Sequence, residues 1–341
     1  MSFLDDWQYD LPAHLIATRP AQQRDGSRLL QVPINGGAPV DRAFTHLATL
    51  LRPGDLLVAN NTRVMASRVR AHRSTGGAVE LLLLQPGPGP IEALARPARR
   101  LKVGEVLQLE AGGTATIVAR PDAEGILLIE TDPDPVSVMA AQGEMPLPPY
   151  LGRGAEAGDA VRYQTVFAGP LGASAAPTAG LHFTPDVLAA VAQAGIGWAT
   201  LTLHVGIGTF RPLRPEDVAA GKLHPEWLVI PQQTVEAISE TRSRGGRVIA
   251  VGTTSARALE ASTSAGDRVP QAGARTTRLF IQPGYDFRCV DGLLTNFHLP
   301  GSSLLMLVAG LIGRERLFSS YETAVQRGYR FYSYGDAMLL L

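Results

Sequence analysis

The hydrophobic pattern of this 341-residue chain changes character between residues 67 and 151, and that change restricts its fold more than any other feature. Short apolar runs recur at Ala78 to Leu84, Ile91 to Ala95, Val106 to Leu109, Thr114 to Val118 and Ile126 to Glu130. Gly, Pro and Asp separate them, as in Gly76-Gly77 and Gly112-Gly113, and no helical period is evident. This pattern predicts a small all-β unit, a β-barrel, that ends in the proline-rich hinge Pro146 to Pro149.

Strand and helix patterns alternate in the C-terminal half. Thr184 reads as an N-cap with Pro185 at the first helical position, and Gly195 closes that helix. A strand follows at Gly197 to Val205. Pro231 to Arg244 reads as a helix ended by Gly245 and Gly246, then a strand at Arg247 to Val251 and a helix from Ala256. Further strands are expected at Thr277 to Gln282 and Gly292 to Phe297, and Ser302 and Ser303 cap an apolar helix running through Leu311. The expected fold class is therefore a layered α/β body, residues 1–66 and 152–341, interrupted by an inserted small β-barrel domain, residues 67–151.

Composition narrows the function. Hydrophobic residues make up 45% and charged residues 18%, which suits a globular chain with a real core. Lys and Arg number 31, as do Asp and Glu, so a nucleic-acid partner must be gripped by local basic patches. The one cysteine, Cys289, allows neither an internal disulfide nor a Cys-based zinc site and fits a reducing, cytoplasmic setting. The first ten residues carry Asp5 and Asp6 and no apolar signal core, and the longest apolar run, Leu304 to Ile312, is too short to span a bilayer. A soluble monomer is expected.

Polar, glycine-rich segments fall at predicted strand ends, where α/β proteins place their sites. Thr178, Gly180, His182 and Phe183 lie in Ala176 to Phe183, a loop of small residues leading into a helix N-terminus. His204, Gly206, Gly208 and Thr209 lie in a second segment. Its Gly-x-Gly lacks the third glycine of a dinucleotide loop, and Pro212 opposes a helix there. Thr253, Thr254, Ser255 and Arg257 begin a strand-turn-helix junction suited to a carboxylate or ribose oxygens, with Glu260 on a solvated helix face if the segment is merely structural. Asn296, Phe297 and His298 stand between a strand and a helix, where they can meet a base edge. Tyr329 to Asp336 interleaves aromatics, Tyr334 among them, with Arg330, which fits either nucleotide stacking or core strands. Basic groups occur at Arg24 and Arg28, at Arg63, and at Arg96, Arg99, Arg100 and Lys102, where a solvated charged surface is the plain alternative to RNA phosphates. His224-x-Glu226 lacks the spacing of a metal motif, and no metal is expected.

These segments, in order, resemble the S-adenosylmethionine:tRNA ribosyltransferase-isomerases of queuosine biosynthesis. The likeness includes Tyr9-Asp10-Leu11-Pro12, Arg24-Asp25-x-Ser27-Arg28, Arg52-Pro53-Gly54-Asp55, Asn60-Asn61-Thr62-Arg63, Ala95-Arg96-Pro97, Leu147-Pro148-Pro149-Tyr150, Arg162-Tyr163-Gln164-Thr165 and Tyr329 to Met338. It departs at Asn61, where the family usually has aspartate, and at Ser67. An amide at 61 keeps hydrogen bonding but cannot act as a base. The resemblance implies an α/β body with an inserted β-barrel. It also implies transfer and isomerisation of the ribosyl group of S-adenosylmethionine onto 7-aminomethyl-7-deazaguanine at the tRNA wobble position. The product is epoxyqueuosine-tRNA, with release of adenine and methionine. S-adenosylmethionine is then a consumed substrate, and no cofactor is implied. Because the sulfonium acidifies the neighbouring C–H bonds, a general base is expected near the 5′ carbon. The acid and base candidates are His182, His204, His298, Asp10, Asp25 and Asp336. The tRNA anticodon arm is expected on the basic groups. The competing readings are an S-adenosylmethionine-dependent RNA methyltransferase using the Gly206-Ile207-Gly208 turn and a non-catalytic RNA-binding module.

Overall fold

The structure, a computed structural model, describes residues 5–84, 87, 89–122, 125–206 and 213–341. Its body is a nine-stranded mixed sheet. In spatial order the strands are Gly273–Leu279, Lys222–Ile230, Gly197–Leu203, Leu56–Asn60, Val248–Val251, Gly292–Asn296, Ala337–Leu340, Arg28–Val32 and Val40–Ala43. The four central strands, Gly197–Leu203 through Gly292–Asn296, run parallel to one another. Helices cover both faces, and every residue of Leu56–Asn60, Val248–Val251 and Gly292–Asn296 is buried. Alternate residues serve opposite cores. Leu56, Val58, Val248 and Ala250 pack with Ile238, Leu259 and Met306 on one face. Leu57, Ala59, Ile249 and Val251 pack with Phe44, Leu47 and Val187 on the other.

Buried carboxylates tie the strand starts and helix ends together. Asp55 accepts from the backbone N–H groups of Arg52 and Arg247 and from the Arg247 guanidinium, joining the starts of two neighbouring strands. Glu260 is 1% exposed, not on a solvated helix face. It accepts from the N–H groups of Arg288, Cys289 and Val290 and from the Tyr285 hydroxyl, so it organises the loop that feeds Gly292–Asn296. Cys289 is fully buried there, and burial pushes its thiol up to about 12.

Between Leu56–Asn60 and Gly197–Leu203 in sequence, six strands form a second sheet that closes on itself. The strands are Arg68–His72, Ala78–Leu83, Ile91–Arg96, Val106–Leu109, Thr114–Ala119 and Ile126–Asp132, with Ile126–Asp132 pairing both Ile91–Arg96 and Thr114–Ala119. Burial alternates along them, and Val69, Leu81, Ile91, Leu107, Ile117 and Ile129 build a core of their own. The stretch is not free of helix: Pro135–Gln142 is helical, started by Asp134, whose carboxylate accepts from Val136 and Ser137 N–H. Eight residues are too few to show a helical period against the surrounding strand pattern. One strand lies four residues earlier than the apolar pattern places it, at Gly273–Leu279. It is an edge strand with Thr276 and Arg278 on its exposed side, while the apolar Phe280 and Ile281 that suggest a later strand are buried loop residues.

Candidate active site

The parallel strands Leu56–Asn60, Gly197–Leu203, Val248–Val251 and Gly292–Asn296 all end on one side of the sheet, and the chain connections diverge there to opposite sides of Leu56–Asn60. A cleft of about 560 Å³ opens at these ends, within the range for a nucleoside-sized ligand. Its wall includes Thr178, Val205, Glu226, Thr253, Thr254, Arg257, Asn296 and His298. Two helix starts also border it. Gly252 takes φ +90° to turn from the strand Val248–Val251 into the helix Thr253–Ala261. Ser302 caps the helix Ser303–Ile312 by accepting from Leu305 N–H at 3.2 Å. Unpaired backbone N–H groups at such starts favour negative ligand groups.

Residues of all five polar segments read from the sequence thus share one cavity, but not every residue in them faces it. His298 lines the cleft, 8% exposed, with Nε2 engaged by Thr295 Oγ1 at 2.8 Å, and burial lowers it to about 3. His182 stands behind the wall. Asn296 Nδ2 donates to its Nε2 at 3.1 Å, which puts the ring proton on Nδ1, 2.7 Å from Ser27 Oγ. Burial, reinforced by Arg24 and Arg330, lowers His182 to about 4. Both imidazoles are neutral at pH 7. His204 lies outside the cleft lining, stacked on Trp227 with centroids 4.9 Å apart and bonded to Thr62. Gly172 allows that placement, because a Cβ there would stand 2.6 Å from the His204 ring.

The three aspartate candidates also lie outside the lining. Asp10 is exposed, Asp25 accepts from Thr184 Oγ1, and the buried Asp336 accepts from the N–H groups of Arg28 and Arg330. Phe183 and Phe297 are core residues. Phe183 packs against Phe44 and Trp198, and Phe297 packs its ring against Tyr321 and Phe331 where it passes the cleft. Gly180 is needed for packing, since a Cβ would meet Phe167 and Thr165 at 2.8 Å. Ser255 turns back to Val251 O, and the Tyr334 hydroxyl donates to Asp159. Gly206 donates its N–H to Glu226, whereas Gly208 and Thr209 lie outside the described residues. Asn61 bridges Thr200 and Thr202 and is not part of the cleft wall.

The basic residues divide in two. Arg24 donates to the carbonyls of Val161, Gln164 and Leu181, Arg63 to those of Ala168 and Gly169, and Arg28 to Arg327 O and Asp41. Arg96, Arg99 and Arg100 are exposed on the six-stranded ring and form no ion pair among the described residues, while Lys102 is exposed near Glu105. The cleft also takes in Tyr150, Tyr332, Ser333 and Glu226, whose motifs alone do not mark them as site residues. Tyr150 and Tyr332 pack with centroids 4.7 Å apart, and the Tyr150 hydroxyl bonds Ser333. Tyr332 holds φ +73°, a costly conformation for a tyrosine that the aromatic run did not reveal. Glu226 faces the same cavity beside its ion-pair partner Arg257, which the strand-turn-helix motif does mark as a binding candidate. Among the described residues no cluster of three or more His, Cys, Asp or Glu is arranged to hold a metal ion, and no helix is long and apolar enough to cross a membrane.

A cleft at the carboxyl ends of a parallel sheet, walled by hydroxyls, amides and two helix starts, defines an α/β protein with a nucleoside-sized site. The particular lineage follows from comparison: residues 4–340 match the family model described as queuosine biosynthesis protein, and the chain belongs to that family. A relative from Gloeobacter violaceus, named S-adenosylmethionine:tRNA ribosyltransferase-isomerase, is 51% identical over 99% of this chain and 95% of its own length. One from Pelobacter propionicus with the same name is 49% identical over 98% of each. The crystal structure of S-adenosylmethionine tRNA ribosyltransferase from Thermotoga maritima matches 98% of this chain and all of its own, at 33% identity and a TM-score of 0.56.

Proposed function

We propose that this chain is an enzyme that transfers and isomerises the ribosyl group of S-adenosylmethionine onto 7-aminomethyl-7-deazaguanine in the tRNA anticodon, releasing adenine and methionine. The observation that carries the reading is the shared cleft, because motifs scattered from Thr178 to Ser333 meet in one cavity of nucleoside size. The methionine carboxylate suits the N–H groups at Thr253 and Thr254. Asn296 and neutral His298 offer hydrogen bonds to the adenine edge, and His182 supports Asn296 from behind. S-adenosylmethionine is consumed, and the residues of the cleft supply the chemistry without a resident cofactor.

The six-stranded ring is read as an inserted β-barrel domain, residues 67–151, whose exposed Arg96, Arg99 and Arg100 hold the phosphates of the anticodon arm. A cytoplasmic monomer suits this role. The deciding experiment incubates the chain with S-adenosylmethionine and tRNA bearing the 7-aminomethyl-7-deazaguanine base. Free adenine should appear with a cyclopentyl-epoxide adduct on the tRNA. A methyl adduct without adenine would replace this reading with a methyltransferase, and tRNA binding without any adduct would leave a binding module.

A further inference from the structure

Glu226 and Arg257 reach the cleft from different elements, the strand Lys222–Ile230 and the second turn of the helix Thr253–Ala261. They form an ion pair whose side chains are 7% and 10% exposed. Gly206 N–H donates to Glu226 Oε1 at 3.3 Å and Arg257 Nη2 contacts Glu226 Oε2, yet Arg257 Nε has no hydrogen-bond partner. A buried pair with an unsatisfied donor is a poor way to stabilise a fold, since its desolvation is only partly offset. The one other carboxylate on the cleft wall among the described residues, Asp217, accepts from Arg214 N–H at its own helix start. Every acid and base candidate read from the sequence either lies off the wall or is a neutral histidine.

The pair sits beside the helix start suited to a carboxylate. A ligand carboxylate arriving there can replace Glu226 on Arg257, leaving the guanidinium satisfied. Glu226 then remains buried without its cation. Losing the neighbouring positive charge and staying desolvated both strengthen a carboxylate as a base.

Resting on the function proposed above, the geometry points to Glu226 as the base for S-adenosylmethionine, armed when the substrate carboxylate takes its place on Arg257. A Glu226 oxygen bonds the proton, the 5′ C–H bond breaks, and its electron pair stays on carbon beside the positive sulfur. No oxidant or further reactant enters. Until the substrate binds, Arg257 keeps Glu226 a weak base.

The test uses the full chain with S-adenosylmethionine and substrate tRNA. Glu226→Gln keeps an acceptor for Gly206 N–H but cannot take the proton. It should bind S-adenosylmethionine within about tenfold of the parent while adenine release slows by about 10²–10⁴-fold. Adenine release within about threefold of the parent overturns the assignment, and so does loss of binding that matches the loss of turnover. Glu226→Asp retains the ion pair and guards against misfolding of the amide variant. It should turn over more slowly and show a larger isotope effect with 5′-dideuterated S-adenosylmethionine. Slower turnover with no isotope effect also rejects Glu226 as the base. If the parent chain releases no adenine at all, the proposed function fails instead.

Discussion

The two buried histidines bind protons far less readily in the folded chain than in the unfolded one. Their folded values are about 4 for His182 and about 3 for His298, against an ordinary 6.5, in both cases chiefly because burial disfavours the imidazolium. Below pH 6.5 the unfolded chain therefore holds more protons, and stability rises with pH across the window down to about 4. Each histidine should remove about 2 kcal/mol between pH 7 and pH 5. Urea unfolding across that range should show the decline, and His298→Gln should reduce its slope; a flat profile in the parent would contradict the buried, neutral imidazoles. Glu260 gives a second expectation at this scale. Replacing it with alanine strands three backbone N–H donors, so Glu260→Ala should cost about 3 kcal/mol or more in denaturant unfolding. A loss under about 1 kcal/mol would mean that water can satisfy those donors.

At the level of elements, Asp55 joins the strands Leu56–Asn60 and Val248–Val251 at the end opposite the cleft. Asp55→Ala should lower stability by about 2–4 kcal/mol, with the Arg247 share reduced because that side chain is partly exposed. Enough protein should still fold for its affinity for S-adenosylmethionine to be near normal by calorimetry, because the contact is remote from the ligand. A selective loss of affinity would show that strand register reaches the site. The elements that could be read in the sequence are those with local punctuation. Thr184 and Pro185 start the helix Pro185–Gln193, and Ser302 starts Ser303–Ile312, each with the side-chain cap its residue type suggests. What could not be read depends on partners remote in sequence. The strand Gly273–Leu279 is fixed by pairing with Lys222–Ile230 and not by its own apolar pattern. His182 and His298 look alike in sequence, yet only one reaches the cavity. Glu226 stands in the sequence only as part of a His-x-Glu pair with the wrong spacing for a metal, because its partner, Arg257, lies 31 residues away on another element.

For the whole molecule, zero formal charge means that RNA affinity must come from a local surface. Replacing Arg96, Arg99 and Arg100 together with alanine should weaken tRNA binding and reduce the slope of log K against log salt by about two to three. Release of adenine at saturating tRNA should change little. An unchanged slope would move the RNA to another face. The buried lone thiol has a separate use. At residue 289 the sulfur is sealed between the loop held by Glu260 and the central sheet, and its high proton affinity leaves almost no thiolate at neutral pH. A thiol-specific dye can label it only when that region opens. Labelling is therefore a built-in stopwatch for opening of the catalytic half, and saturating S-adenosylmethionine should slow it in proportion to the opening it suppresses.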